Sequence, residues 1–114
     1  MSRLEQLEGD AWRDFVGAPV AVLMLGKSDC ASCQRWTEEL GEALRDEAFW
    51  PQVRFGKITL DQRGLTSFKR ENGWLADVDA LPFNVIYKGG ERVKTFPGSG
   101  ISRLDNRLKN VTGE

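Results

Sequence analysis

An apolar, β-branched run from Pro19 to Leu25 empties into a polar turn, Gly26-Lys27-Ser28-Asp29. A helical pattern follows in which Cys33, Trp36, Leu40 and Leu44 recur at i, i+3, i+7 and i+11. The run reads as a buried strand. The pattern reads as a helix of about four turns with one apolar stripe, its Glu38, Glu39, Glu42, Arg45 and Asp46 falling on other faces. Phe49-Trp50-Pro51 is expected to end this helix, because proline biases Trp50 away from the helical region. Val53 to Leu60 then reads as a second strand, thinned in the middle by Gly56. A strand, a long helix and another strand make a right-handed βαβ unit with parallel strands. The turn carrying the cysteines falls at the carboxyl end of its first strand, where open α/β sheets hold their reactive sites.

The flanks are less regular. Residues 2–8 fit either a helix, from the spacing of Leu4 and Leu7, or a short edge strand. Asp10 reads as the N-cap of a short helix through Ala11, Trp12, Phe15 and Val16, ended by Gly17. Downstream, Asp61 to Gly73 is a polar connection with a short helical stretch around Leu65, Phe68 and Lys69, and Trp74 to Ala80 is an irregular link. Leu81-Pro82 opens a third strand, Phe83 to Tyr87, and Lys88-Gly89-Gly90-Glu91 turns it into a fourth, Arg92 to Phe96. After Pro97-Gly98-Ser99-Gly100, the residues Ile101, Leu104, Leu108 and Val111 draw a second helical stripe, with Ser99 or Ser102 expected to cap its start. At 114 residues the chain reads as one α/β domain, residues 1–114, since the usual domain carries roughly 100–150.

Composition narrows the functions. Sixteen basic against seventeen acidic side chains leave a net charge of −1, with no block of one sign. There is thus no electrostatic footprint for nucleic acid or anionic lipid. No apolar run approaches the ~20 residues that cross a bilayer. The opening MSRLEQLEGD lacks the apolar middle of a secretory signal, so the expected location is the cytoplasm. A chain already trimmed of such a signal would read identically, which leaves the periplasm as the alternative. The chain has no histidine, which excludes Cys-His and Ser-His nucleophilic machinery and imidazole-based metal sites. No cofactor is expected.

The two cysteines, Cys30 and Cys33, stand in a Cys-x-x-Cys arrangement where a strand hands over to a helix. The first turn of a helix has amide N–H groups without intrahelical partners and carries the positive end of the macrodipole, so a thiolate is favoured there. Such a pair can exchange with external disulfides, with Cys30 as the exposed attacking thiol and Cys33, on the Trp36/Leu40 stripe, as the resolving thiol. Lys27 would lower the Cys30 thiol pKa by its charge and Asp29 would oppose it. Two rival readings remain. The cysteines are small buried hydrophobes in a redox-inactive interaction module, or they bind a metal or iron–sulfur cluster shared between two chains.

In this order of elements the chain resembles the thioredoxin family, from about Asp10 to Val111. The resemblance rests on the strand entering Cys30-Ala31-Ser32-Cys33, the strand VRFGKITLD ending in Asp61, the Leu81-Pro82 step before PFNVIYKGGERV, and Gly98 before a terminal helix. It implies a central mixed β-sheet of four to five strands flanked by helices, and a protein-disulfide oxidoreductase acting as a monomer. It further implies that Pro82 is a cis-proline facing the cysteine pair, that the Leu81 backbone and Gly98 line the surface where target chains dock, and that Lys57 accompanies the buried site. The implied partners are protein disulfides and a thioredoxin reductase or another dithiol donor. The chain departs from the family pattern at Asp29, where a tryptophan is usual, and at Ala31-Ser32, where Gly-Pro is usual. Met24 replaces a buried aspartate, and Glu38 replaces a helix-kinking proline. Redox potential, the proton acceptor for Cys33 and recognition by the reductase are therefore not carried over.

Overall fold

The computed structural model describes residues 3–113. Five strands form one sheet in the order β1-β3-β2-β4-β5. They are β1 (Leu4–Gln6), β2 (Val20–Gly26), β3 (Arg54–Thr59), β4 (Phe83–Lys88) and β5 (Glu91–Pro97). β1 and β2 both run parallel to β3, whereas β4 pairs antiparallel with β2 and with β5. The sheet is therefore mixed. Four helices flank it, α1 (Ala11–Val16), α2 (Ala31–Ala43), α3 (Thr66–Glu71) and α4 (Ile101–Thr112), and a 3-10 turn covers Gly73–Asp77.

Alternation along β2 divides the core. Val22 and Met24 face α2 and α4, packing with Cys33, Trp36, Leu40, Phe55, Leu104 and Leu108. Ala21, Leu23 and Leu25 face the other way, onto Phe15, Ile58, Phe68, Val85 and Tyr87. Because side chains alternate with period two, one central strand supplies both layers. β2 is buried along nearly its whole length, as a strand covered on both faces must be.

Several local expectations change. The segment at residues 3–8 resolves to an edge strand, as Leu4 pairs with Phe55; Ser2 lies outside the described residues. Asp10 stands at the N-cap position of α1 but does not cap it. Its carboxylate instead accepts from the Ser67 hydroxyl, which in turn accepts from the Trp12 indole at 3.1 Å, tying α1 to α3. Pro51 does not end α2, which stops at Ala43. There the Asp46 carboxylate accepts from the Ala48 amide at 3.0 Å, a local bond that competes with helix continuation. Trp50 then takes a positive φ of 45°, where Arg3 donates to its carbonyl at 2.7 Å. Neither Ser99 nor Ser102 caps α4. The N-cap is Gly100, which has no side chain to offer, while Ser102 already lies inside the helix.

The chain's single tyrosine, Tyr87, is buried in the α1/α3 layer. Burial pushes its phenol up to about 12, against a smaller opposing effect of Arg92. The folded value lies above the unfolded one of about 10. The neutral phenol therefore contributes stability that is complete below that pH and lost as pH rises towards the folded value. Tyrosinate absorbance should show a midpoint near 12 in the native protein and near ~10 after unfolding in guanidinium. Coincident titrations would contradict the burial.

Candidate functional site

β2 ends at Gly26, the chain turns through Lys27-Ser28-Asp29, and α2 begins. The turn is braced from β3's end. The Asp61 carboxylate accepts from the Ser28 amide at 3.0 Å and from the Ser28 hydroxyl. These bonds, led by that of the hydroxyl, hold the Asp61 carboxyl below its usual range, with a smaller assist from Lys27.

Cys30 is the N-cap residue of α2, and its sulfur accepts from the Cys33 amide at 3.2 Å. A sulfur thus occupies the place where a serine or aspartate oxygen usually satisfies an orphan helix N–H. Cys30 and Cys33 are joined as a disulfide with their Cα atoms 5.2 Å apart. They differ in access. Cys33 is 1% exposed within the α2/α4 layer, whereas Cys30 is half-buried at the surface. A Cβ on Gly26 would lie 3.0 Å from the Cys33 Cβ and 3.2 Å from its Sγ, so the missing side chain of Gly26 makes room for the buried sulfur.

Across from the cysteines, the Leu81–Pro82 peptide is cis. Leu81 packs against the same layer as Cys30. The Ser32 hydroxyl lies 3.4 Å from both the Cys30 sulfur and the Leu81 carbonyl oxygen, linking the two halves of the site. Gly98, at φ +85°, donates its amide to the Pro82 carbonyl at 2.7 Å. Cys30, Cys33, Leu81, Pro82 and Gly98 are therefore brought together.

The remaining expected residues lie around this group. Lys27 and Asp29 are exposed, and among the described residues neither side chain hydrogen-bonds a sulfur. Lys27 instead lines an open groove of about 620 Å³ with Leu60, Asp61, Lys69 and Leu75. Met24 is fully buried in the Cys33 layer, and its thioether cannot take up a proton at physiological pH. Lys57 is the register partner of Met24 on β3 and so shares that face of the sheet. Two participants escaped the sequence reading, Gly26 and Ser32. Their roles come from contacts that local periodicity does not encode.

Chemically, the arrangement joins a half-exposed sulfur at a helix N-terminus, a sealed partner sulfur one helical turn away, and a stretch of backbone at Leu81 beside them. No protein-family profile matches the chain, and no curated protein does. Solved structures do. The thioredoxin Mala s 13 of Malassezia sympodialis is 20% identical with a TM-score of 0.76, covering 96% of this chain and 91% of that one. Oxidised mitochondrial thioredoxin 3 of Saccharomyces cerevisiae is 20% identical with a TM-score of 0.72, covering 94% of each chain. Spinach chloroplast thioredoxin f is 17% identical with a TM-score of 0.75, covering 96% of this chain and 93% of that one. With strand order, cysteine placement and full-length superposition in agreement, the chain has the thioredoxin fold.

Proposed function

We propose that the protein is a thiol–disulfide oxidoreductase acting on protein disulfides, with Cys30 as nucleophile and Cys33 as resolving thiol. The observation that carries this is the unequal access of the two joined sulfurs, one half-buried beside the Leu81 backbone and the other sealed at 1% exposure.

In the reduced protein the Cys30 thiolate attacks one sulfur of a target disulfide. A Cys30–target bond forms and the second target sulfur leaves as a thiolate. The Cys33 thiolate then attacks the Cys30 sulfur, closing Cys30–Cys33 and releasing the first target sulfur. Two electrons pass to the target, and an external dithiol donor, such as a thioredoxin reductase, returns them to the protein. Leu81, Pro82 and Gly98 form the docking edge, on which an extended target segment pairs in strand fashion with the Leu81 backbone. Asp29, adjacent to Cys30, Lys27, three residues before it, and Lys57, on the face of β3 that the Cys33 layer shares, tune the couple by their charges. The protein works as a monomer in the cytoplasm. Insulin reduction driven by dithiothreitol tests the reading: catalysed precipitation of the B chain supports it, and a rate equal to that without protein removes it.

Ser32 refines the expectation. Once Cys30 is a thiolate it is a far better acceptor than a disulfide sulfur or a neutral carbonyl. The one Ser32 proton, which the Leu81 carbonyl accepts in the disulfide form, therefore turns to the thiolate beside the Cys33 amide. Loss of one bond to a charged group costs about 1.5 kcal/mol or more, which corresponds to roughly tenfold less thiolate at a pH below the midpoint. Ser32→Ala should therefore move the thiolate absorbance titration to higher pH, and Ser32→Thr should largely restore it.

A further inference from the structure

Asn84 is 0% exposed, in a strand whose next residues Val85, Ile86 and Tyr87 are all buried. An amide in such a place is costly unless each polar atom is bonded, and here each is. Its Oδ1 accepts from the Trp36 indole at 2.8 Å, and its Nδ2 donates to the carbonyls of Gly98 at 2.8 Å and Phe96 at 3.2 Å. The partners belong to different parts of the site. Trp36 is fully buried on α2, one turn past Cys33. Gly98 lies just beyond the last rung of the β4/β5 ladder, which ends at Phe83 and Pro97. There the Asn84 side chain takes the Gly98 carbonyl while Pro82 takes its amide at 2.7 Å. An apolar side chain would fill the same core space without the desolvation cost, but it would leave the Gly98 carbonyl without its partner from β4.

We infer that Asn84 is a positioning residue: it fixes the Pro82/Gly98 docking edge at a set place relative to the helix that carries Cys33. This rests on the disulfide-exchange reading, and Asn84 itself touches neither sulfur. A target polypeptide needs both the sulfur and the edge, whereas a small disulfide needs only the sulfur. The two kinds of substrate therefore separate positioning from general damage.

The test uses Asn84→Leu combined with Trp36→Phe, which removes the bonded side-chain pair together and so avoids a buried indole N–H without a partner. The expected result is a KM for insulin raised about tenfold, a kcat within about twofold of the parent, and an unchanged rate with hydroxyethyl disulfide. Hydrogen exchange at the Gly98 amide should speed up while amides of central strand β2 stay protected. Unchanged Gly98 exchange overturns the inference, as does an equal loss of rate with insulin and with the small disulfide. If the parent itself reduces neither substrate, the exchange reading fails, and Gly98 exchange still decides the role of Asn84. Should the double variant not fold, Asn84→Ser serves, because it keeps a polar group towards Trp36 but cannot hold both carbonyls; the same Gly98 measurement applies.

Discussion

Cys30→Ser should lower insulin-disulfide turnover on the order of a thousandfold or more, whereas Cys33→Ser should leave a single attack intact and arrest the reaction afterwards. The asymmetry follows from access. Cys30 sits half-buried at the N-cap of α2, where the Cys33 amide points at its sulfur at 3.2 Å, and a target sulfur can approach it from solvent. Cys33 is sealed in the core, so it meets only the sulfur of Cys30. A Cys33→Ser protein should therefore accumulate mixed disulfides, visible as a heavier species on non-reducing gels that dithiothreitol removes. Equal turnover by the Cys30→Ser variant and the parent would end the proposed mechanism. Trapping by Cys30→Ser instead of Cys33→Ser would reverse the assignment of the two thiols.

Gly56→Ala should be the most damaging of the small substitutions. Gly56 lies in the middle of β3 opposite Leu23, and the ring of Phe15 rests directly on it. A Cβ there would stand 2.7 Å from the Phe15 Cε1, 2.8 Å from its Cζ and 3.0 Å from the Leu7 Cδ1. Phe15 is fully buried, so the ring has nowhere to retreat without moving α1. Overpacking of this kind costs about 1–3 kcal/mol, and more for a branched side chain. Gly41→Ala is the matched comparison. Gly41 lies inside α2 with nothing within 4 Å of an added Cβ, and alanine there should add about 0.4–1 kcal/mol by restricting the unfolded chain. Urea melts of both variants check the pair. A Gly56→Ala midpoint equal to the parent's would mean that the Phe15 contact is not as tight as described.

What the sequence disclosed and what it hid divide along a physical line. The βα corner with its Cys-x-x-Cys turn was legible because an apolar run, a polar break and a 3.6-period stripe lie next to one another in the chain. The β4/β5 hairpin was legible for the same reason, through Gly89-Gly90. The ambiguous opening segment became a strand only through pairing with Phe55, far along the chain, and no local pattern carries that information. The caps failed likewise. Asp10 would suit the helix that follows it, but Ser67 in α3 takes its carboxylate. Asn84 went unremarked in the strand Phe83 to Tyr87, because its meaning depends on Trp36 and Gly98, which come close only after folding. The site itself was half visible, its sulfurs from spacing and its cis Leu81–Pro82 peptide only through family resemblance.

The sheet also acts as a partition. The sulfurs share their compartment with Trp36, Leu40 and Leu104, while Phe15, Ile58 and Phe68 fill the compartment behind it. The rear compartment is therefore where a designer can redesign the interior for heat tolerance with least disturbance to the Cys30–Cys33 pair. Equivalent repacking at the front would shift stability and the setting of the cysteine pair together.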